Sequence, residues 1–241
     1  MAPARPISSC TCLTFDCFGT LVDWESAVLA ALSELTSQQD PSHPLHNNRS
    51  GAIELFAKLE GFLYSDFARD IGVEASAEGK KRFGTVLGES AAFPDTVAAL
   101  QRLKRHFKLV ILSNIDKASF SGTQSGPLRE VEFDAVYTAQ DIGSYKPDPR
   151  NFYYLVEHLA KDLGVSKDGI IHTAYSFPHD LVPARNIGIV GAWIERASGE
   201  APAVMGGKLA DVPEGLRPSW QFKSLGEKAD AADADAAIVA G

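Results

Sequence analysis

The sequence predicts an α/β fold: a doubly wound parallel sheet with helices on both faces, interrupted by a small helical insert after the first strand. Three observations carry this expectation. From Pro94 onward, apolar runs of strand length alternate with segments of helical spacing, and repeated strand–helix units build parallel sheets covered on both faces. The runs FKLVILS (107–113) and IVGAWIE (189–195) are almost continuously apolar, as strands buried on both faces are. Between the first strand and this alternating half, residues 24–91 carry helical rather than strand periodicity.

The elements follow in order. TCLTFD (11–16) is a β-rich run that Gly19-Thr20 breaks into a turn. From Trp24, Val28, Leu29, Leu32 and Leu35 recur at helical spacing until the polar, proline-bearing stretch SQQDPSHPLHNNRSG. Ile53, Leu55, Phe56, Leu59, Phe62, Leu63 and Phe67 then mark one amphipathic helix over about 51–70. The alternating half reads as helix 95–105, strand 107–113, strand 135–139, helix 150–163, strand 169–176, helix 180–187 and strand 189–195. After Phe222 the chain turns rich in Ala and Asp, which predicts a frayed helix or a disordered tail. The expected organisation is therefore a core of 8–23 and 92–222, a helical insert of 24–91 and a flexible tail of 223–241.

Composition narrows the function. With 241 residues and 45% hydrophobic content, the chain can bury about 70% of its unfolded surface and needs no disulfide or structural metal. Its net charge of −8 offers no basic footprint for nucleic acid or an anionic membrane. No apolar run approaches the roughly 20 residues that span a bilayer, and MAPARPISSCTCLTF has no apolar signal core. A cytoplasmic protein is expected. Cys10, Cys12 and Cys17 read as reduced structural residues.

In open α/β sheets, ligands bind beyond the carboxyl ends of the strands. The residues that follow the predicted strands are Asp16, then Ser113-Asn114, then Asp141 with Lys146 a few residues on, then Ser176 to Asp180. Two carboxylates, a hydroxyl, an amide and a lysine are thus expected to converge on one crevice.

Four motifs occupy these places: FDCFGTL (15–21), LSN (112–114), YKPDPRNF (145–152) and HTAYSFPHD (172–180). In this order and context they resemble the haloacid dehalogenase superfamily, and within it the L-2-haloacid dehalogenase-like branch. The resemblance implies a Rossmann-like core and a helical cap made by the insert. It implies that Asp16 is the nucleophile, attacking the α-carbon of a small anionic 2-haloacid to form an aspartyl ester that water hydrolyses. Lys146 would keep Asp16 ionised, and Thr20 and Ser113 would hydrogen-bond a carboxylate. Asn114 would orient substrate or steady the ester oxygen. Asp180 would hold Lys146 or polarise the water, while also serving as N-cap of the helix that follows. Phe18 stands where phosphatases of the superfamily carry the second acid of Asp-x-Asp, which protonates a leaving alkoxide; a halide needs no proton. No cofactor is therefore required, and magnesium enters only under the alternative of a phosphatase using the same Asp16. A scaffold repurposed for binding or for another reaction is the third reading.

The sequence also departs from the branch. Tyr175 and Phe177 replace a serine and an asparagine, and Phe152 with Tyr153 replaces a single tyrosine after the lysine motif. Arg49 is the nearest candidate for a halide-receiving arginine. A homodimer is admitted, and neither nucleic acid nor membrane is an expected partner.

Overall fold

The structure is a computed structural model that describes residues 6–56, 58, 64–198, 201–202 and 206–240. Its centre is a six-stranded sheet whose neighbouring strands are all parallel. The strands are β1 (Cys12–Phe15), β2 (Lys108–Ser113), β3 (Ala135–Thr138), β4 (Ile170–Ala174), β5 (Val190–Ile194) and, beyond a short β6 (Ala197–Ser198)/β7 (Ala201–Pro202) hairpin, β8 (Trp220–Phe222). Their order is β3-β2-β1-β4-β5-β8. The expected α/β fold is present. β1 lies between β2 and β4, so the chain reverses its direction of sheet growth there, and every residue of β1 is buried.

Alternation along β1 sends side chains to two separate apolar layers. Leu13 and Phe15 join Leu100, Leu103, Ile111 and Leu225 on one face. Cys12 joins Val110, Leu112, Phe152, Leu155 and Ile170 on the other. The helices that cover these faces include α5 (Thr96–Leu103) and α8 (Arg150–Leu163), the latter ended by Gly164 in the left-handed conformation. Cys10, Cys12 and Cys17 are buried and form no disulfide.

Between β1 and β2 lies the helical insert: α1 (Trp24–Thr36), α2 (Arg49–Phe56), α3 (Tyr64–Asp70) and α4 (Ala77–Phe83). These helices bury Val28, Leu32, Leu35, Ile53, Phe56, Tyr64 and Phe67 in a core of their own. Asp23 caps α1 by accepting from the Ser26 amide at 3.1 Å. The expected helix over 51–70 corresponds to α2 and α3 at its two ends; residues 57 and 59–63 lie outside the described residues. The insert leaves and rejoins the core through a two-stranded neck. The Asp23 amide donates to Ala91 O at 2.8 Å, the Phe93 amide donates to Leu21 O at 3.1 Å, and Val22 bridges Ala92 in antiparallel fashion.

Two parts differ from expectation. α6 (Lys117–Ser125) follows β2, capped by Asp116 on the Ser119 amide at 2.9 Å. It buries only Phe120 and Thr123, so it carries almost no apolar periodicity. After α7 (Ala139–Ile142), α8 and α9 (Val182–Asn186), the chain ends in α10 (Leu225–Ala240), where a flexible tail was expected. Leu225, Lys228, Ala229 and Ala232 form its buried stripe against α5. Small alanines let the two helices approach, and the acidic residues are not solvating ballast: Arg102 pairs with Asp230 and Asp233, each at 2.7 Å. Asp95 receives the first turn of α10 through the Leu225 and Gly226 amides at 2.6 and 3.1 Å.

Lys228 is fully buried in this layer, its ammonium nitrogen on Thr173 Oγ1 and 5.2 Å from the centre of the Phe15 ring. Burial drives its pKa down to about 7. Between that value and the ordinary lysine value near 10.4 the unfolded chain holds a proton that the folded chain lacks, so stability rises with pH across this window. Lys228→Met is expected to raise stability at pH 7 by about 1–4 kcal/mol and to abolish the rise toward pH 10. Urea unfolding at the two pH values measures both, and a less stable variant at pH 7 would contradict this account.

Candidate active site

The carboxyl ends of β1, β2 and β4 lie level, because Phe15 is in register with Ile111 on one side and Thr173 on the other. Asp16 is the first residue past β1, and its amide still follows the ladder, donating to Thr173 O at 3.1 Å. The chain then turns sharply: the amides of Thr20, Leu21 and Val22 all point to Cys17 O. Gly19 sits in this turn at φ +82°, and a Cβ there would lie 2.3 Å from the Tyr175 ring. Only glycine meets both conditions.

Asp16 is surrounded by donors. Thr20 Oγ1 donates to its Oδ2 at 3.1 Å, Ser113 Oγ to Oδ1 at 3.3 Å, and Lys146 Nζ to Oδ1 at 2.8 Å. The same ammonium donates to Asp180 Oδ1 at 2.6 Å and to Leu112 O at 3.0 Å. Its three protons are thereby used. All of these side chains are buried. Burial raises the Asp16 pKa, outweighing the lowering by the Lys146 charge, with Asp180 pushing the same way as burial. Asp180 is also opposed by burial, yet Lys146 and His172 together hold its carboxyl below the usual range. Burial opposes the charge of Lys146, but its two carboxylates keep its pKa raised.

Other expected residues take different places. Asn114 brackets the backbone of Lys146: its Nδ2 donates to Lys146 O at 2.9 Å, and its Oδ1 accepts from the Lys146 amide at 2.7 Å. Both ends of its side-chain amide therefore hold the lysine loop rather than face Asp16. Asp180 is not a helix N-cap. It lies inside a π-helical turn, Phe177–Leu181, which Ser176 caps, and α9 starts only at Val182. Its carboxylate points inward to Lys146 and His172 instead. Phe18 packs against the apolar layer on the α5 face. Arg49 is the first residue of α2, exposed beside a groove of about 980 Å³ that Glu34, Asn48 and Arg82 also line. None of Asp16, Ser113, Lys146 and Asp180 lines that groove.

The aromatic departures have distinct roles. Tyr175 lies on Gly19, its amide donates to Thr20 Oγ1 at 3.1 Å, and its hydroxyl donates to Glu25 Oε1 of α1 at 3.2 Å. Burial pushes its phenol far up, helped by the Glu25 and Asp16 charges. Phe177 packs on Trp193 with the rings tilted at 39° and their centres 4.9 Å apart.

Three participants were missed in the sequence. His172 Nε2 lies 2.9 Å from Asp180 Oδ1, and its Nδ1 lies 2.8 Å from Thr14 Oγ1. Thr14 and His172 are register partners on the two central strands. Polar residues at matched positions in otherwise apolar buried strands are the signal that would have found them. The third is Arg196, whose Nε donates to Thr20 O at 2.9 Å while its Nη1 pairs with Asp95 at 2.7 Å, over the Phe93 ring.

A fold that sets a buried carboxylate after the central strand, with a lysine shared between it and a second carboxylate, defines a class of hydrolases, and the comparisons agree. The model of the haloacid dehalogenase-like hydrolases matches residues 10–168, and the chain belongs to that family. (S)-2-haloacid dehalogenase H-109 of Pseudomonas putida is 25% identical over 230 residues, covering 90% of this chain and 96% of its own. Pyrimidine 5'-nucleotidase of Escherichia coli is 21% identical over 224 residues, covering 90% and 91%. The L-2-haloacid dehalogenase of Xanthobacter autotrophicus, solved with chloropropionic acid covalently bound, shares the fold at a TM-score of 0.64 and 18% identity, over 93% of this chain and 98% of its own.

Removing the shared cation tests the electrostatics directly. Lys146→Met leaves two buried carboxylates without their counter-charge and is expected to cost about 3–5 kcal/mol. Both carboxyls would then titrate above their unfolded values, so the folded state would hold the extra protons and stability would fall as pH rises through about 4–7. Denaturation at pH 4.5 and 7.5 reads this; a variant equally stable at both would contradict the arrangement.

Proposed function

We propose that the protein is a haloacid dehalogenase-type hydrolase that cleaves the carbon–halogen bond of a small 2-haloacid through an ester on Asp16. The observation that carries this reading is the Lys146 ammonium held between Asp16 and Asp180, with aromatic Phe18 rather than an acid two residues after the nucleophile. The Lys146 charge favours the ionised form of Asp16 against the opposing effect of burial, and a displacement that expels halide needs no general acid. Asp16 attacks the α-carbon as the carbon–halogen bond breaks, giving an ester and a halide ion. Water then adds at the Asp16 carbonyl carbon, and the 2-hydroxy acid leaves with the oxygen that Asp16 supplied. Ser113 and Thr20, each on an Asp16 oxygen, orient the carboxylate for both steps. Lys146 faces the charge that develops in the second. In this reading residues 8–23 and 92–222 are the catalytic core, joined by α10, and residues 24–91 are a cap over the crevice. The relatives named as 2-haloacid dehalogenases support the substrate class, and the covalently bound Xanthobacter structure supports an ester route.

Magnesium suits these residues poorly. It would take carboxylates in an octahedral oxygen shell, yet Asp16 and Asp180 share one ammonium, and Phe18 supplies no side-chain oxygen. Among the described residues no three His, Cys, Asp or Glu side chains gather around a common centre. No step is assigned to a metal, and the proposed reaction requires no cofactor. The Escherichia coli nucleotidase keeps a phosphatase reading alive as the alternative.

A single turnover of 2-chloropropionate in heavy-oxygen water separates the readings. The label is expected in the peptide that contains Asp16, with unlabelled oxygen in the first product and no effect of chelator. Asp16→Asn should lose both turnover and label. Label in the first product would overturn the ester, and magnesium-dependent phosphate release from nucleotides would favour the phosphatase.

A further inference from the structure

His172 is fully buried on β4, with its ring edge-on to Phe152 at 5.5 Å and 89°. A carboxylate only accepts hydrogen bonds, so the nitrogen facing Asp180, Nε2, carries a proton. Nδ1 faces the Thr14 hydroxyl, which can donate or accept. The ring is thus held at both ends in one orientation. Its other neighbours with charge lie beyond Asp180: Lys146, and through it Asp16.

Lys146 and His172 both donate to the same oxygen of Asp180, Oδ1. Two donors from different elements, the loop after α7 and the strand β4, fix the rotation of this carboxylate about its last bond. Neither of them engages Oδ2. A carboxylate held by one donor alone could exchange its two oxygens; one held also by an imidazole anchored in the sheet cannot do so without breaking a buried hydrogen bond.

We propose that His172 is a positioning residue for the second half of the reaction: it pins Asp180 through Oδ1 so that Oδ2 remains the acceptor for the proton of the attacking water. This role rests on the proposed ester route. Water oxygen bonds to the Asp16 carbonyl carbon while one of its protons passes to Asp180 Oδ2. The bond from that carbon to the substrate oxygen then breaks, and the departing 2-hydroxy acid takes the proton back from Asp180. The second water proton leaves Asp16 for solvent as its carboxylate re-forms beside Lys146. Ester formation uses none of these proton transfers, so His172 belongs to hydrolysis and not to displacement.

Rapid-quench mass spectrometry with 2-chloropropionate measures the two half-reactions on the Asp16 peptide. In His172→Leu, ester formation is expected to stay within about twofold of wild type while hydrolysis slows about ten- to a hundredfold, so that ester accumulates. His172→Gln, which keeps an N–H donor toward Asp180, should recover most of the hydrolysis rate. Equal slowing of both half-reactions, or equal behaviour of the two variants, would overturn the proposal. Carboxyl carbon NMR of Asp180 without substrate gives a second readout: its titration should move up in His172→Leu and not in His172→Gln, and an unmoved Asp180 in His172→Leu overturns the pinning. Thr14→Val, which leaves the imidazole in place but removes its far anchor, carries the same split between half-reactions if the leucine variant does not fold. Failure of the wild-type protein to form any ester overturns the proposed function and the role of Oδ2 together, whereas the NMR result judges the hydrogen bond by itself.

Discussion

One buried ammonium organises the carboxyl end of this sheet. Lys146 loses its water on folding, and that loss is offset only because two carboxylates and a backbone carbonyl meet its three protons at 2.6–3.0 Å. Each partner is fixed by a different strand: Asp16 by β1, Leu112 by β2, and Asp180 by the turn after β4. The lysine therefore acts as a gauge of the whole sheet end, since a slip in any one strand would strand a charge. Asn114 completes the constraint by holding the lysine's own backbone.

The loop that carries Asp16 is restrained from outside this cluster as well. Tyr175 presses on Gly19, and Arg196 holds the carbonyl of Thr20. Arg196 is in turn held by Asp95, which receives the first amides of α10. Through this relay the last helix of the chain steadies a turn near its beginning. Such a side-chain and backbone relay fixes position without adding a charge to the crevice, because the Arg196 charge is already balanced by Asp95.

Much of the core and of the site was legible because both obey local rules. Short apolar or β-rich runs gave the five strands from β1 to β5, and residues just past them, with Lys146 a few residues further on, gave Asp16, Ser113, Lys146 and Asp180 as one group. What escaped depends on pairing across long separations. His172 reads as one more residue of an apolar strand until the register sets it beside Thr14. Asp180 has the residue type and place of a helix cap, yet a buried cation outbids the helix end for its carboxylate. The acidic residues of α10 read as disorder because their partners, Arg102 and His106, are more than a hundred residues away. Arg49 was suggested by its distance along the chain from Asp16, and it lines a groove among residues of the insert that Asp16 does not line.

The neck at Val22–Asp23 and Ala91–Phe93 bears on how such a chain can vary. The insert begins and ends at positions already joined by main-chain hydrogen bonds, so the core experiences it as a closed loop of fixed mouth. The entropy of closing a loop grows only with the logarithm of its length, and about 0.6 kcal/mol accompanies each doubling. Exchange of the helices between these two points for a longer or shorter set would thus leave the sheet nearly indifferent. The insert and the core can consequently diverge over generations, the one drifting in its helices while the other stays under the constraint of the sheet.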